Sequence, residues 1–232
     1  MNLILFDIDG TLLRAHGAGH RALDRAVRQA YGIENGLHGI RPDGKTDLAI
    51  LREALARFDI EMAIDGCAEE SVFNFYLEFL DKELARPPQG STVNVLPGVV
   101  SVLTELSGSA DFLVGIGTGN IEEGAKRKLS AAGLADFFVT GGYGSDAEDR
   151  TEILKTGIER GKELAGDQGL SRIFVIGDTP RDVESGRAVG ARTVAVATGS
   201  YGFRQLTACR PALTLESLEP AEPLFEFLRR DG

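Results

Sequence analysis

Cysteine is scarce in this chain. Only Cys67 and Cys209 occur in 232 residues, and their spacing suits neither a metal knuckle nor a redox pair. Each thiol is expected to be buried or incidental, which fits a reducing, cytoplasmic setting. Long apolar runs are also absent, so no segment is expected to span a bilayer. Met1 and Asn2 lead straight into the first apolar stretch, with no basic leader and no small-residue cleavage site. Positive charge is in deficit: 25 Lys and Arg face 35 Asp and Glu, for a formal net charge of −10. Such a chain repels polyanions, which argues against nucleic acid and anionic membranes as partners. A small anionic substrate stays possible where a metal or local cations neutralise it. No repeat and no Pro-rich or Gly/Ser-rich run occurs, so the 29 glycines read as tight turns rather than disorder.

What is present begins with "LILFDIDGTLL", Leu3 to Leu13, a buried-strand pattern that ends on two carboxylates, Asp7 and Asp9. Helical spacing follows at 20–31, 46–58 and 69–85, with no convincing strand between. "ARPPQGSTVNVLPG" then reads as a return linker. From Pro97 the pattern alternates. Strands are expected at 111–117, 137–140, 172–177, 192–197 and 212–215, with helices at 98–107, 121–132, 151–165, 180–189 and 217–229. The expected fold class is therefore α/β. Residues 1–13 and 96–232 form a parallel sheet core with helices on both faces, and 14–95 form a helical insertion.

Ligands of an open parallel sheet bind at the carboxyl ends of its strands. Three strands place polar groups there: Asp7 and Asp9 from the first, Thr118, Gly119 and Asn120 from "DFLVGIGTGN", Asp178 and Asp182 from "RIFVIGDTPRD". Four carboxylates at one edge repel one another unless a cation sits among them, and all-oxygen ligands favour Mg²⁺. Asp7, Asp9, Asp178 and Asp182 are thus the metal candidates, with a helix-capping role as the alternative for Asp182. There is no Gly-x-Ser-x-Gly elbow, and His16, His20 and His38 fall at or inside the insertion, away from the strand ends. That argues against a Ser–His relay. A carboxylate beside Mg²⁺ can itself be the nucleophile. Asp7 is the candidate, with Asp9 as general acid and base and Thr118 as a holder of phosphoryl oxygens.

"DIDGT" after an apolar strand, a Thr closing a later strand and "GDTPRD" closing another resemble the haloacid dehalogenase superfamily. The similarity is to its phosphoglycolate-phosphatase-like branch and extends to "LPGVVSVLTEL" and "GARTVAVATG". It implies a Rossmann-like core with a mobile helical cap, matching the insertion. It also implies Asp7 as nucleophile, Asp9 as acid/base, and Mg²⁺ held by Asp7, the Asp9 carbonyl and Asp178. The implied activity is hydrolysis of a small phosphorylated metabolite through an aspartyl-phosphate, with phosphoglycolate as first candidate. β-Phosphoglucomutase-like phosphoryl transfer and non-catalytic phosphate or metal binding are the alternatives; dehalogenase and phosphonatase chemistry are disfavoured by Asp9. One departure stands out: the family's usual Lys, often followed by Pro, is missing from "GYGSDAEDRTEILKTGIERG". Arg150 is the expected cation and Lys155 its rival, unless Arg150 merely pairs with Asp146, Glu148 or Asp149.

Two further patterns are weighed against plainer readings. "GIRPDGKT" matches a P-loop letter by letter, yet no buried strand precedes it and Asp43 would point into the cradle. Thr46 or Asp47 capping the next helix is the plain reading; a cap loop bringing Lys45 and Arg41 to the substrate is the functional one. "GIGTGN" lacks the third glycine of a dinucleotide fingerprint, so Gly119 and Asn120 are assigned to substrate binding instead. Phe73, Phe75, Tyr76 and Phe79 are expected to belong to the core of the helical insertion rather than to a ligand box.

Overall fold

The opening strand β1 (Asn2–Phe6) carries four consecutive fully buried residues, Leu3 to Phe6. A strand apolar on both faces belongs in the middle of a parallel sheet, and there it lies. A computed structural model, describing residues 1–61, 67–85 and 93–230, shows a six-stranded parallel sheet. Its members are β1, β4 (Phe112–Gly117), β5 (Thr140–Gly142), β6 (Arg172–Gly177), β7 (Arg192–Val196) and β8 (Leu213–Leu215), in the order β5-β4-β1-β6-β7-β8. The chain builds outward from β1 on one side, then returns to pair β6 on the other. β1 is therefore flanked at the topological switch point, where open α/β sheets bind ligands.

Alternation along β1 separates two cores. Ile4 and Phe6 join the cluster containing α4 (Val99–Ser107), α5 (Glu122–Ala131) and α9 (Glu222–Arg229). Leu3 and Leu5 pack against Leu154 and Ile158 of α6 (Arg150–Ala165) on the opposite face. The remaining core helices are α7 (Pro180–Ala188) and the short α8 (Phe203–Ala208), which the sequence pattern does not signal.

Between β1 and α4 come α1 (Ala18–Tyr31), α2 (Asp47–Ala56) and α3 (Cys67–Ala85). A two-stranded antiparallel ribbon, β2 (Leu13–Arg14) with β3 (Asn94–Val95), ties the segment's outgoing and returning chains together. Its two-residue strands are too short to leave a period in the sequence. Ala22, Leu23 and Ala26 of α1 share a cluster with Val72, Tyr76 and Leu80 of α3, and Phe73, Phe75 and Phe79 pack half-buried against it, as expected of core in the insertion. Residues 86–92 of the expected return linker, and the side chain of Cys67, lie outside the described residues. Cys209 is a partly buried free thiol. Among the described residues no helix is long and apolar enough to cross a membrane.

Two expected elements are displaced. The strand at 137–140 lies instead at Thr140–Gly142, while Ala135–Phe137 form a 3₁₀ turn. The edge strand needs glycine more than apolar bulk: a Cβ on Gly142 would sit 1.9 Å from the Ile153 carbonyl oxygen of α6. The apolar run serves as packing, with Phe138 edge-on to Phe6. The last helix starts at Glu222 rather than 217, because Pro220 disfavours a helical residue before it. Gly142→Ala is expected to lower stability by about 1–3 kcal/mol in urea unfolding; an unchanged midpoint would contradict the close contact of α6 with β5.

Candidate active site

Register aligns the three central strands. Phe6 pairs with both Ile116 and Ile176, so Asp7, Gly117–Thr118 and Gly177–Asp178 emerge side by side at one edge. Asp7, Thr118 and Asp178 are all buried. Asp7, Asp178 and Asp182 each offer a carboxylate oxygen, and the three oxygens lie within 4.8 Å of one another.

A single cation sits against this group. Arg150, the first residue of α6, is 5 % exposed and places Nη2 3.0 Å from Asp7 Oδ1 while also donating to Asp182 Oδ1. The rival arrangements are absent. Asp146 pairs with Arg160, Glu148 with Arg52, and Asp149 caps α6 by accepting from Thr151 N and Glu152 N. Lys155 is exposed and pairs with Glu152. Asp182 performs the capping role and more. Its Oδ2 accepts from Thr179 N at 3.0 Å and Thr179 Oγ1 at 2.7 Å, closing a capping box on α7, while Oδ1 serves Arg150. Asp178 Oδ1 accepts from Thr11 Oγ1 at 3.0 Å, which gives the Thr of "DIDGT" its task.

Three carboxylates against one guanidinium leave negative charge in excess, and burial makes that costly. Burial first, then the neighbouring carboxylates, pushes the Asp7 pKa up to about 6 despite Arg150. Asp178 is pushed well up, again chiefly by burial and then by Asp7 and Asp182. The backbone closes tightly around it: a Cβ on Gly10 or Gly199 would come within 2.5 Å of Asp178 Oδ2. An all-oxygen, charge-deficient pocket of this kind suits a hard divalent cation.

On the other side of Asp7 stands a second polar group. Asp9 Oδ2 accepts from Asn120 Nδ2 at 2.8 Å and from Lys128 Nζ at 2.6 Å; Lys128 Nζ also donates to Asn120 Oδ1 at 2.6 Å. Asn120 Nδ2 reaches Thr118 Oγ1 at 2.8 Å. Sequence reasoning misses Lys128. Its signal is a lysine on the buried stripe of α5, among Ile121, Ala125 and Leu129.

The "GIRPDGKT" segment is no P-loop: turns precede it, and Thr46 caps α2 by accepting from Ala49 N. It does reach the site. Asp43, Gly44, Lys45 and Asp47 line a cavity of about 460 Å³ together with Asp7, Asp9, Thr118, Gly119, Asn120, Arg150 and Asp178. Lys45 is held there by Glu53. Arg41 is exposed and does not line the cavity, because the turn that brings Lys45 inward leaves it facing solvent. The placement of the histidines needs correction as well. The insertion folds over the strand ends, so His16 and His20 of the chain around α1 line the cavity, whereas His38 does not.

Comparison with known proteins agrees with this architecture. The family model described as haloacid dehalogenase-like hydrolase matches residues 1–190. The chain is 28% identical over 225 residues to a phosphoglycolate phosphatase of Aquifex aeolicus, covering 93% of this chain and 92% of that protein. It is 25% identical over 225 residues to the pyrophosphatase PpaX of Bacillus pumilus, covering 94% and 93%. A solved structure described as a predicted phosphoglycolate phosphatase from Haemophilus somnus superposes with a TM-score of 0.68 at 16% identity, covering 97% and 98%. That likeness is one of fold.

Arg150→Met leaves Asp7 and Asp182 without their cation and is expected to destabilise the protein by about 3–5 kcal/mol at neutral pH. Lys155→Met is expected to stay within about 0.5 kcal/mol. Equal effects in urea unfolding would contradict the assignment of Arg150.

Proposed function

The chain belongs to the haloacid dehalogenase-like hydrolases, and from that premise we propose a metal-dependent phosphomonoester hydrolase acting on a small phosphorylated metabolite. The observation that carries the reading is Asp7, buried against Arg150 and facing Asp178 and Thr118 in one cavity. Within the family the similarity is to phosphoglycolate phosphatase, and phosphoglycolate is the first substrate to test. The free thiol of Cys209 and the lack of a membrane-crossing helix among the described residues are compatible with a cytoplasmic setting.

Asp7 attacks phosphorus in line, forming an aspartyl-phosphate as the P–O bond to the substrate alcohol breaks. Asp9 donates its proton to the leaving oxygen, and the same carboxylate then takes a proton from the water that hydrolyses the intermediate. Asp9 Oδ1 has no hydrogen-bond partner among the described residues, so one oxygen is free for these transfers while Oδ2 stays anchored. Thr118 and Arg150 face the phosphoryl oxygens. Asp7, Asp178 and the Asp9 carbonyl would hold Mg²⁺, which would supply positive charge that Arg150 alone does not. Asp182 acts through Arg150. Residues 14–95, which carry helices α1–α3, serve as a cap over the cavity and restrict it to small substrates.

A screen of small phosphomonoesters with pyrophosphate included is expected to show phosphate release that requires Mg²⁺ and is lost in Asp7→Asn. Full turnover by Asp7→Asn, or activity indifferent to chelation, would overturn the reading. Transfer of phosphate to a second sugar phosphate, without release, would favour the mutase chemistry instead.

Proton linkage gives a second test. Asp7 and Asp178 hold protons to higher pH in the folded state than as free side chains. Without metal, their contribution to stability is therefore greatest below about pH 4 and falls as pH rises through about 6. A cation must displace those protons. The rise in Tm on adding Mg²⁺ should thus be larger at pH 7.5 than at pH 5, and equal increments would contradict it.

A further inference from the structure

Lys128 is the buried cation that this chemistry leaves without a task. The residue is only 4 % exposed, unusual for a lysine, and such burial is costly unless its donors are satisfied. It forms a closed ring with Asp9 Oδ2 and the two ends of the Asn120 amide. The ring fixes the amide orientation, since reversal would set its NH₂ against the ammonium. It also fixes which carboxylate oxygen of Asp9 is anchored and which is free.

The inserted segment completes this arrangement. Asp47, at the start of α2, donates its backbone N–H to Gly119 O at 2.9 Å and accepts from Ile121 N at 2.9 Å through Oδ2. It therefore grips the two residues on either side of Asn120. The approach is close: a Cβ on Gly119 would lie 2.4 Å from the Lys45 carbonyl oxygen. Asp47 is half-buried, and its loss of hydration raises its pKa to about 6, with Lys128 the foremost cation opposing that rise. From above, Gly19 of α1 leaves room for the ammonium, with a Cβ there only 3.3 Å from Nζ. The ammonium thus pairs with Asp9 of the core and with Asn120, whose two chain neighbours are held by Asp47 of the insertion.

We propose that Lys128 is a positioning residue for Asp9, in a ring that Asp47 seats through the backbone on either side of Asn120, so that a residue of the insertion bears on the proton-transfer step. The proposal rests on the phosphomonoesterase reading for its kinetic consequence, and on the ring geometry for the rest.

The test uses the full chain with Mg²⁺ and p-nitrophenyl phosphate, together with an alkyl phosphate whose leaving group needs a proton. Lys128→Met, checked for native circular dichroism, is expected to lose roughly 100-fold in kcat on the alkyl ester, the scale of a misplaced catalytic group. KM should stay within about threefold and the loss on p-nitrophenyl phosphate should be smaller, because uniform binding is untouched and that leaving group needs less acid assistance. Methylammonium added to Lys128→Ala should restore part of kcat, whereas KCl at equal ionic strength should not. Wild-type kcat in folded Lys128→Met, or a loss confined to KM, would overturn the proposal. A wild-type protein inert toward every phosphomonoester would instead refute the activity reading. The ring is then judged by ¹⁵N NMR of the lysine ammonium groups. A Lys128 signal protected from solvent exchange and lost in Asp47→Asn supports it; exchange as fast as that of surface lysines overturns it.

Discussion

Charge compensation at three adjacent strand ends is the constraint on which this molecule depends. Parallel pairing of β1 with β4 and β6 in register leaves no freedom about where Asp7 and Asp178 emerge. Burial by the surrounding loops then makes each uncompensated charge expensive. Arg150 meets part of that cost on one side of Asp7 and Lys128 meets it beside Asp9. The remaining excess of negative charge is of the kind that a hard divalent cation could balance.

The two cations differ in kind. Arg150 presents a planar fork that contacts Asp7 and Asp182 together, and it cannot lose its charge at any accessible pH. On the proposed reading it takes the place of the lysine that the family resemblance leads one to expect. Asp182 illustrates the economy of the arrangement, since one carboxylate ends the turn into α7 and holds Arg150 in place. Lys128 sits where core and insertion meet, within reach of Asp9 and of the segment that carries Asp47. The helices between β1 and α4 thus contribute more than a roof over the cavity. They supply Asp47, which holds the backbone on either side of Asn120.

Much of this was legible before any coordinates. Apolar runs of four to six residues alternating with helical periods define the sheet, and Asp-x-Asp-Gly-Thr marks its functional end. Arg150 could be singled out because a cation was required and only two candidates stood near the start of that helix. The less legible parts have physical reasons. β5 is built from Thr–Gly–Gly, where closeness to α6 matters more than hydrophobicity. The ribbon of β2 and β3 is too short to carry a period. His16 and His20 reach the cavity through tertiary folding of the insertion, which no local pattern reports. Lys128 lies in a "KRK" run that reads as a solvated face, and only its place on the buried stripe of α5 distinguishes it.

The central claim is that Asp7 carries the phosphoryl group covalently, and it can be tested by trapping. In Asp9→Asn, ³²P-labelled p-nitrophenyl phosphate should still phosphorylate Asp7, because its leaving group needs little protonation, while hydrolysis slows for want of the base. Acid quenching with Mg²⁺ present, followed by peptide mapping, should place an alkali-labile label on the peptide that contains Asp7. Label on another residue, or none despite continued release of p-nitrophenol, would contradict the account.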